Sequence, residues 1–139
     1  VKLALGTDGA GSNNALDMFR EMYLVSVLQK ELLSDAAAGC ADRTLEMACA
    51  GGARAMGLDD CDDLAVGKLA DLIVIDMSQP NMQPVSNIPH NIVYSGSKSN
   101  VRLTMVNGRV LYENGVYHIG ESAEDIYRHA NESARRIFA

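Results

Sequence analysis

The sequence opens with the stretch Val1–Asn14, VKLALGTDGAGSNN, in which an apolar run ends at an acid flanked by glycines. Val1 to Leu5 predict a buried β-strand, and Gly6-Thr7-Asp8-Gly9 places a carboxylate at the C-terminal tip of that strand. In an α/β barrel the C-terminal ends of the strands carry the chemistry, and glycines let a ligand approach the backbone. Asp8 is therefore a candidate metal ligand or base, although an Asp at a strand end also serves as a turn former or helix cap.

Composition and charge narrow the class of protein. Of the 139 residues, 47% are hydrophobic and 22% are charged, which are ordinary values for a globular chain. The formal net charge is −6 and the basic residues are scattered, so we expect no nucleic-acid partner. No apolar run approaches the length of about 20 residues that a membrane span requires, and no signal-peptide pattern is present. We therefore expect no membrane association and a cytoplasmic location.

The first part of the chain predicts helices after the strand. Apolar residues at helical spacing indicate a helix from about Ala15 to Leu33, with Asn14 at its N-cap. A second helix is expected from about Arg43 to Met56, ended by Gly57. Gly51-Gly52 inside this helix costs about 1 kcal/mol per glycine relative to alanine, so we expect a close backbone contact that compensates.

The remainder of the chain is mostly β in character. Asp71 to Asp76 predict a strand buried on both faces, because the apolar run between the two acids is continuous. Residues 101–105 alternate between apolar and polar, and Asn107-Gly108 is a strong signal for a hairpin turn into the next strand. Val116 to Ile119 predict a final short strand, and Ser122 is expected to cap a last helix.

Three stretches occur in an order that is typical of one known family. They are GTDGAGSNNALDM (6–18), MACAGGARAMGL (47–58) and GKLADLIVID (67–76), with MVNGRVLYENG (105–115) beyond them. The chain resembles, over nearly its whole length, the C-terminal portion of a metal-dependent amidohydrolase. The similar branch contains the 5-methylthioadenosine/S-adenosylhomocysteine deaminases and the chlorohydrolases of triazine-type substrates.

The resemblance implies a fold and a division of the chain. It implies an α/β fold that is a C-terminal fragment of a (β/α)₈ amidohydrolase barrel, with its last strand and helices. The returning half of a small β-sandwich domain and a C-terminal helix would follow. The implied boundaries place the end of the hydrolase barrel at 1–58, the sandwich segment at 59–121 and the C-terminal helix at 122–139.

The resemblance also implies a reaction and its site. Asp8 matches the aspartate that binds a divalent metal, usually zinc, and that accepts a proton from a metal-activated water. A divalent cation lowers the pKa of bound water from about 16 to about 7, which allows attack on an electron-poor ring carbon. The implied reaction removes an amino or chloro group from an aromatic heterocycle, such as the adenine of methylthioadenosine or S-adenosylhomocysteine. Ser12 and Asn13 could orient Asp8 or touch the substrate, and capping of the following helix explains them equally well.

The sequence departs from the family in its metal ligands. It has no HxH pair, and His90, His118 and His129 match none of the family's metal-binding positions. Because a zinc site takes about three or four protein ligands, we expect this chain alone to hold no metal tightly and to be inactive. The parent protein is expected to be a metal-dependent hydrolase that acts on C–N bonds.

The start of the chain raises the question of what covers its apolar faces. The first residue already lies inside a predicted strand and is not Met, so we expect a fragment of a longer protein. Uncovered apolar faces promote association, either with the missing N-terminal part or as a homo-oligomer. The competing hypothesis is a non-catalytic α+β module that binds protein, or itself, through those faces. An upstream reading frame that contains HxH would favour the enzyme.

Overall fold

The computed structural model describes residues 3–138. Its α-helices are α1 (Met18–Leu33), α2 (Ala41–Ala48), α3 (Ala50–Ala55), the single turn α4 (Ile88–His90) and α5 (Ala123–Phe138). A π-helical turn (Asn91–Ser95) continues α4, and two 3₁₀ turns lie at Pro80–Met82 and Lys98–Asn100. The strands are β1 (Leu72–Ile75), β2 (Val101–Val106), β3 (Arg109–Glu113) and β4 (Val116–Tyr117). None of the helices within residues 3–138 is both long and apolar enough to span a bilayer.

The strand predicted at the start of the chain is not formed in the residues that the structure describes. Val1 and Lys2 lie outside those residues, and Leu3 to Leu5 belong to no strand. The amide N–H of Leu5 instead donates to the carbonyl oxygen of Met47 in α2, at 3.0 Å. A strand is defined by its hydrogen bonds to a neighbouring strand. Within residues 3–138 no strand lies beside Leu3–Leu5. The prediction of a strand is therefore wrong for these three residues.

Helix α1 begins at Met18 rather than at Ala15, and its N-cap is Asp17 rather than Asn14. The Asp17 carboxylate accepts a hydrogen bond from the amide N–H of Phe19, at 3.1 Å. This bond satisfies one of the donors that every helix leaves unpaired in its first turn. Leu16 has a φ of +43°, a left-handed conformation that prevents the helix from extending further upstream.

The second predicted helix is two short helices. Its first part begins at Ala41, and the run breaks at Cys49, where φ is −110° and ψ is −96°. The prediction of one continuous helix from Arg43 to Met56 is therefore wrong in its middle. The predicted end is confirmed, because Gly57 follows α3 with a φ of +72°, which glycine adopts without strain.

Gly51 is the place where the backbone of Leu3 approaches α3. A Cβ atom on Gly51 would lie 2.7 Å from the carbonyl oxygen of Leu3, closer than any real Cβ contact. For the neighbouring Gly52 the nearest such atom is the carbonyl oxygen of Met47, at 3.9 Å, which is ordinary contact. The close backbone contact expected from the Gly51-Gly52 pair is confirmed at Gly51.

The two glycines therefore predict opposite effects of the same substitution. Gly52→Ala should raise the free energy of unfolding by about 0.5–1 kcal/mol, because alanine loses less backbone entropy than glycine in a helix. Gly51→Ala should lower it by about 1–3 kcal/mol, because the methyl group collides with the Leu3 carbonyl. Urea unfolding of the two variants gives the comparison. Equal effects at both positions would show that the Leu3 contact is absent in solution.

The sheet has the order β1-β2-β3-β4, and all neighbours are antiparallel. The predicted hairpin is confirmed: Asn107 and Gly108 join β2 to β3 with φ values of +48° and +74°. Strand β4 stops at Tyr117, short of the predicted end at Ile119. The prediction that β1 is buried on both faces is wrong, because Ile73 and Val74 are each 49% exposed.

Asp76, the last residue of the GKLADLIVID motif, links the C-terminal end of β1 to β2 through hydrogen bonds. Its Oδ2 accepts hydrogen bonds from Nε and Nη2 of Arg102, at 3.0 and 2.6 Å. The amide N–H of Ser78 donates to Oδ1 at 2.8 Å. The Ser78 and Arg102 donors, together with Gln79, hold the pKa of Asp76 well below its usual range. This part of the motif is therefore structural.

The core joins the helical part of the chain to the sheet. Its buried members are Phe19, Met22, Ala41, Met82, Ile92 and Val93, and Leu5, Ile75 and Val101 pack against them. Residues from before and after position 58 thus share one cluster. The division at 58 and 121 stays a prediction. The predicted last helix is confirmed as α5, with the hydroxyl of Ser122 accepting from the amide N–H of Asp125 at 3.1 Å.

Candidate active-site loop

The loop from Gly6 to Asp17 is anchored at both ends. On its N-terminal side, Leu5 bonds to α2 and Leu3 contacts Gly51 in α3. On its C-terminal side, Asp17 caps α1, whose residue Phe19 is buried in the core. The loop therefore has fixed attachment points, although most of its residues are exposed.

Asp8 is presented to solvent by this loop in a defined geometry. Its Oδ1 accepts a hydrogen bond from the amide N–H of Gly9 at 2.7 Å, and its Oδ2 accepts one from the Ser12 hydroxyl at 2.8 Å. The φ of Asp8 is +57°, a left-handed conformation that is uncommon for residues other than glycine and that clusters at functional sites. A carboxylate has about four lone-pair sites, so both oxygens keep capacity for a cation.

The same two donors set the charge of Asp8. The hydrogen bond from Ser12, followed in size by that from Gly9, holds the pKa of Asp8 below its usual value. Asp8 is therefore an anion at neutral pH, which is the form that binds a cation.

Ser12 and Asn13 have different positions in the loop. Ser12 contacts the Asp8 carboxylate directly, and its amide N–H donates to the carbonyl oxygen of Gly9 at 3.0 Å. Asn13 makes its side-chain bonds elsewhere: Oδ1 accepts from the amide N–H of Ala15 at 3.1 Å, and Nδ2 donates to Oε1 of Glu21 at 2.7 Å. Neither residue caps α1, because Asp17 does so. The capping alternative is therefore wrong for both, and contact with a substrate stays a prediction.

Glu21 contacts this loop, and it was not identified as a candidate residue from the sequence. It lies in the first turn of α1 and reaches back to Asn13. The sequence offers only a weak signal for it, since an acid in the first turn of a helix is common for electrostatic reasons alone.

Asp8 has the donor chemistry of a metal ligand, but the described residues do not complete a site. Within residues 3–138 no group of three or more His, Cys, Asp or Glu side chains could hold a metal ion. Zinc takes about three or four protein ligands, so Asp8 would be one member of a larger set. A cavity of about 580 Å³ between α1, α2 and Leu3–Leu5 does not have Asp8 among its lining residues.

The family model described as the amidohydrolase family matches residues 1–111. A 5-methylthioadenosine/S-adenosylhomocysteine deaminase from Syntrophobacter fumaroxidans is 46% identical over 114 residues, which are 81% of this chain and 26% of that protein. A 5'-deoxyadenosine deaminase from Methanothermobacter thermautotrophicus is 43% identical over 121 residues, 87% of this chain and 28% of that protein. The chain thus spans about a quarter of the length of the curated relatives that it matches.

Solved structures resemble the chain along almost all of its length. An adenosine deaminase from Xanthomonas campestris with bound zinc superimposes with a TM-score of 0.93 at 35% identity, covering 99% of this chain and 31% of that one. Zinc-bound atrazine chlorohydrolase from Arthrobacter aurescens TC1 gives a TM-score of 0.85 over 95% of this chain and 29% of that one. At 22% identity this second likeness concerns the fold alone.

These likenesses confirm the predicted fold class, with the helices and the four-stranded antiparallel sheet present in one chain. The GTDG loop and the GKLADLIVID stretch both lie within the matched residues. The chain therefore belongs to the amidohydrolase family.

Proposed function

We propose that this chain is part of a metal-dependent aminohydrolase, here called the parent enzyme, that removes the amino group from the adenine ring of an adenosine derivative. The observation that carries the proposal is the Asp8 carboxylate, which Gly9 and Ser12 hold at the tip of the GTDG loop. The deaminase names of the relatives support the amino group as the leaving group. A chlorinated ring has weaker support, because the triazine hydrolases resemble the chain in fold alone.

Asp8 would be one of the ligands of a divalent metal, and zinc is the ion bound in an adenosine deaminase and an atrazine chlorohydrolase that share this fold. When bound, such a metal supplies a water that is acidic enough to attack at neutral pH. In the assembled site the Asp8 carboxylate would accept the proton of the attacking water. Return of that proton to the amino nitrogen would let the C–N bond break, so that the ring carbon keeps the hydroxyl oxygen and ammonia leaves. Ser12 keeps the carboxylate oriented during this exchange.

The chain alone is proposed to be inactive. Asp8 is a single ligand, and the remaining ligands would come from outside residues 3–138. Binding of the small heterocyclic substrate would likewise need residues beyond those described, because Asp8 does not line the cavity beside α1. We propose a cytoplasmic location for the parent enzyme.

A second candidate function is association through uncovered apolar faces. Leu28 and Leu32 lie one turn apart on α1 and are 61% and 75% exposed. Helix α5 has no buried residue. Apolar surface of this kind favours contact with the rest of the parent enzyme or with a second copy of the chain.

The two candidates are separated by assaying this chain beside the parent enzyme. Metal content is measured by elemental analysis, and ammonia release is measured with methylthioadenosine, S-adenosylhomocysteine and 5'-deoxyadenosine. We expect the parent enzyme to hold roughly one metal per chain and to release ammonia, and the 139-residue chain to do neither. Stoichiometric metal in the chain alone would overturn the ligand argument. A metal-loaded parent enzyme that releases no ammonia would overturn the aminohydrolase.

A further inference from the structure

One side-chain hydrogen bond links the Asp8 loop to helix α1. Nδ2 of Asn13 donates to Oε1 of Glu21 at 2.7 Å, and both residues are half-buried. Partial burial strengthens such a bond, because fewer water molecules compete for its donor and acceptor. A bond to a charged acceptor is also among the stronger hydrogen bonds in proteins.

The backbone of Glu21 is held in place by helix α1 and by the core beside it. Its amide N–H donates to the carbonyl oxygen of Asp17 at 3.1 Å, within the first turn of α1. The next residue, Met22, and the earlier Phe19 are both buried in the core. The backbone position of Glu21 is therefore set by core packing and not by the exposed loop.

Asn13 is connected to Asp8 through Ser12. The amide N–H groups of Ser12 and Asn13 both donate to the carbonyl oxygen of Gly9, each at 3.0 Å. The hydroxyl of Ser12 also donates to Oδ2 of Asp8 at 2.8 Å. Displacement of Asn13 would therefore move the donor that orients the Asp8 carboxylate.

We propose that Glu21 is a positioning residue that acts through Asn13 to hold residues 9–13 in the shape that presents the Asp8 carboxylate to a cation. The inference rests on the proposed function in that the cation is the metal of the parent enzyme. Glu21 has a simpler alternative role, in which its negative charge stabilises the N-terminus of α1. The two roles differ because the first depends on an acceptor oxygen and the second depends on charge.

Four variants separate hydrogen bonding from charge. Glu21→Gln removes the charge and keeps an oxygen that accepts from Asn13, whereas Glu21→Ala removes the acceptor. Asn13→Asp keeps the oxygen that accepts from Ala15 and places a second carboxylate opposite Glu21. The double variant N13D/E21Q restores one hydrogen bond with its direction reversed, because the glutamine amide donates to the new carboxylate.

The measurements are zinc affinity and kcat of the parent enzyme, together with ¹⁵N heteronuclear NOEs of residues 9–13 in the 139-residue chain. We expect E21A and N13D to bind zinc about tenfold more weakly and to lose NOE intensity in the loop. We also expect both variants to have a lower kcat with an unchanged KM. We expect E21Q to keep the loop NOEs and to bind zinc only about two- to threefold more weakly, because its hydrogen bond has lost the charged acceptor. We expect N13D/E21Q, in which a carboxylate again accepts, to keep the loop NOEs and the zinc affinity of the unmodified protein.

The outcomes distinguish this inference from the proposed function. The positioning role is overturned if E21Q weakens zinc binding as much as E21A does, or if N13D/E21Q binds zinc no better than N13D. Either result would mean that the charge of Glu21 matters and its hydrogen bond does not. If the loop and zinc results follow the expected pattern while the unmodified parent enzyme deaminates nothing, the positioning role is supported and the aminohydrolase fails. A rigid loop and unchanged zinc affinity in E21A would overturn the positioning role alone.

Discussion

Asp8→Asn in the zinc-loaded parent enzyme is expected to lower turnover by about a thousandfold or more. Asparagine has nearly the shape of aspartate, but it is neutral, and its amide nitrogen cannot accept a hydrogen bond. Either the Gly9 N–H or the Ser12 hydroxyl would therefore lose its acceptor. The variant also loses the proton acceptor, and removal of a general base alone commonly costs about 10²–10⁴-fold. Steady-state ammonia release and zinc content measure the effect.

Asp59→Asn is the matched control for this experiment. Asp59 is also an exposed acid, so its replacement removes the same charge from the chain. We expect its turnover and zinc content to stay at the level of the unmodified enzyme. Asp8→Ala should behave like Asp8→Asn, and retention of more than a few per cent of activity in either variant would refute the assignment of Asp8.

Phe19→Ala is expected to have the largest effect on stability, a loss of about 3–5 kcal/mol in the free energy of unfolding. Phe19 is 7% exposed and lies in the core with Met82 and Ile92. Its ring also fits against Gly96, where a Cβ atom would lie 2.7 Å from Cδ1 of Phe19. Removal of the ring leaves a cavity between α1 and the π-helical turn, which the backbone can refill only in part. Urea unfolding of the 139-residue chain gives the measurement.

Tyr23→Ala provides the comparison on the same helix. Tyr23 lies one turn further along α1 and is 46% exposed, so its ring leaves a smaller gap in packing. We expect a loss below about 1 kcal/mol, in the range of ordinary surface substitutions. Similar losses for the two aromatic residues would mean that Phe19 is no more deeply buried in solution than Tyr23, contrary to the core described above.

Local signals predicted the turns and the last helix well. Asn107-Gly108 forms the expected hairpin because two residues of positive φ suit a tight turn between antiparallel strands. Ser122 caps α5 because its hydroxyl needs only a neighbouring amide N–H. The exception is the start of α1, where Asn14 was predicted as the cap and the left-handed Leu16 leaves that position to Asp17.

The candidate site was predictable in part. The position of Asp8 beside two glycines follows from residues adjacent in the chain, and its bond to Ser12 spans a short loop. The bond between Asn13 and Glu21 was not predictable, because it depends on how the loop folds back over α1. The break at Cys49 had no local signal either, since the helical spacing continues through it.

By itself the sequence determined the family and the turn chemistry and predicted Asp8 as the residue of the candidate site, because each depends on residue types at short, fixed spacing. Only the tertiary structure decided which apolar runs are covered. The run Leu72–Ile75 forms an edge strand with half-exposed side chains, and Leu3–Leu5 bond to a helix instead of to a strand. Burial and strand pairing depend on which segments lie alongside, and hydrophobic spacing in one segment does not specify its neighbours.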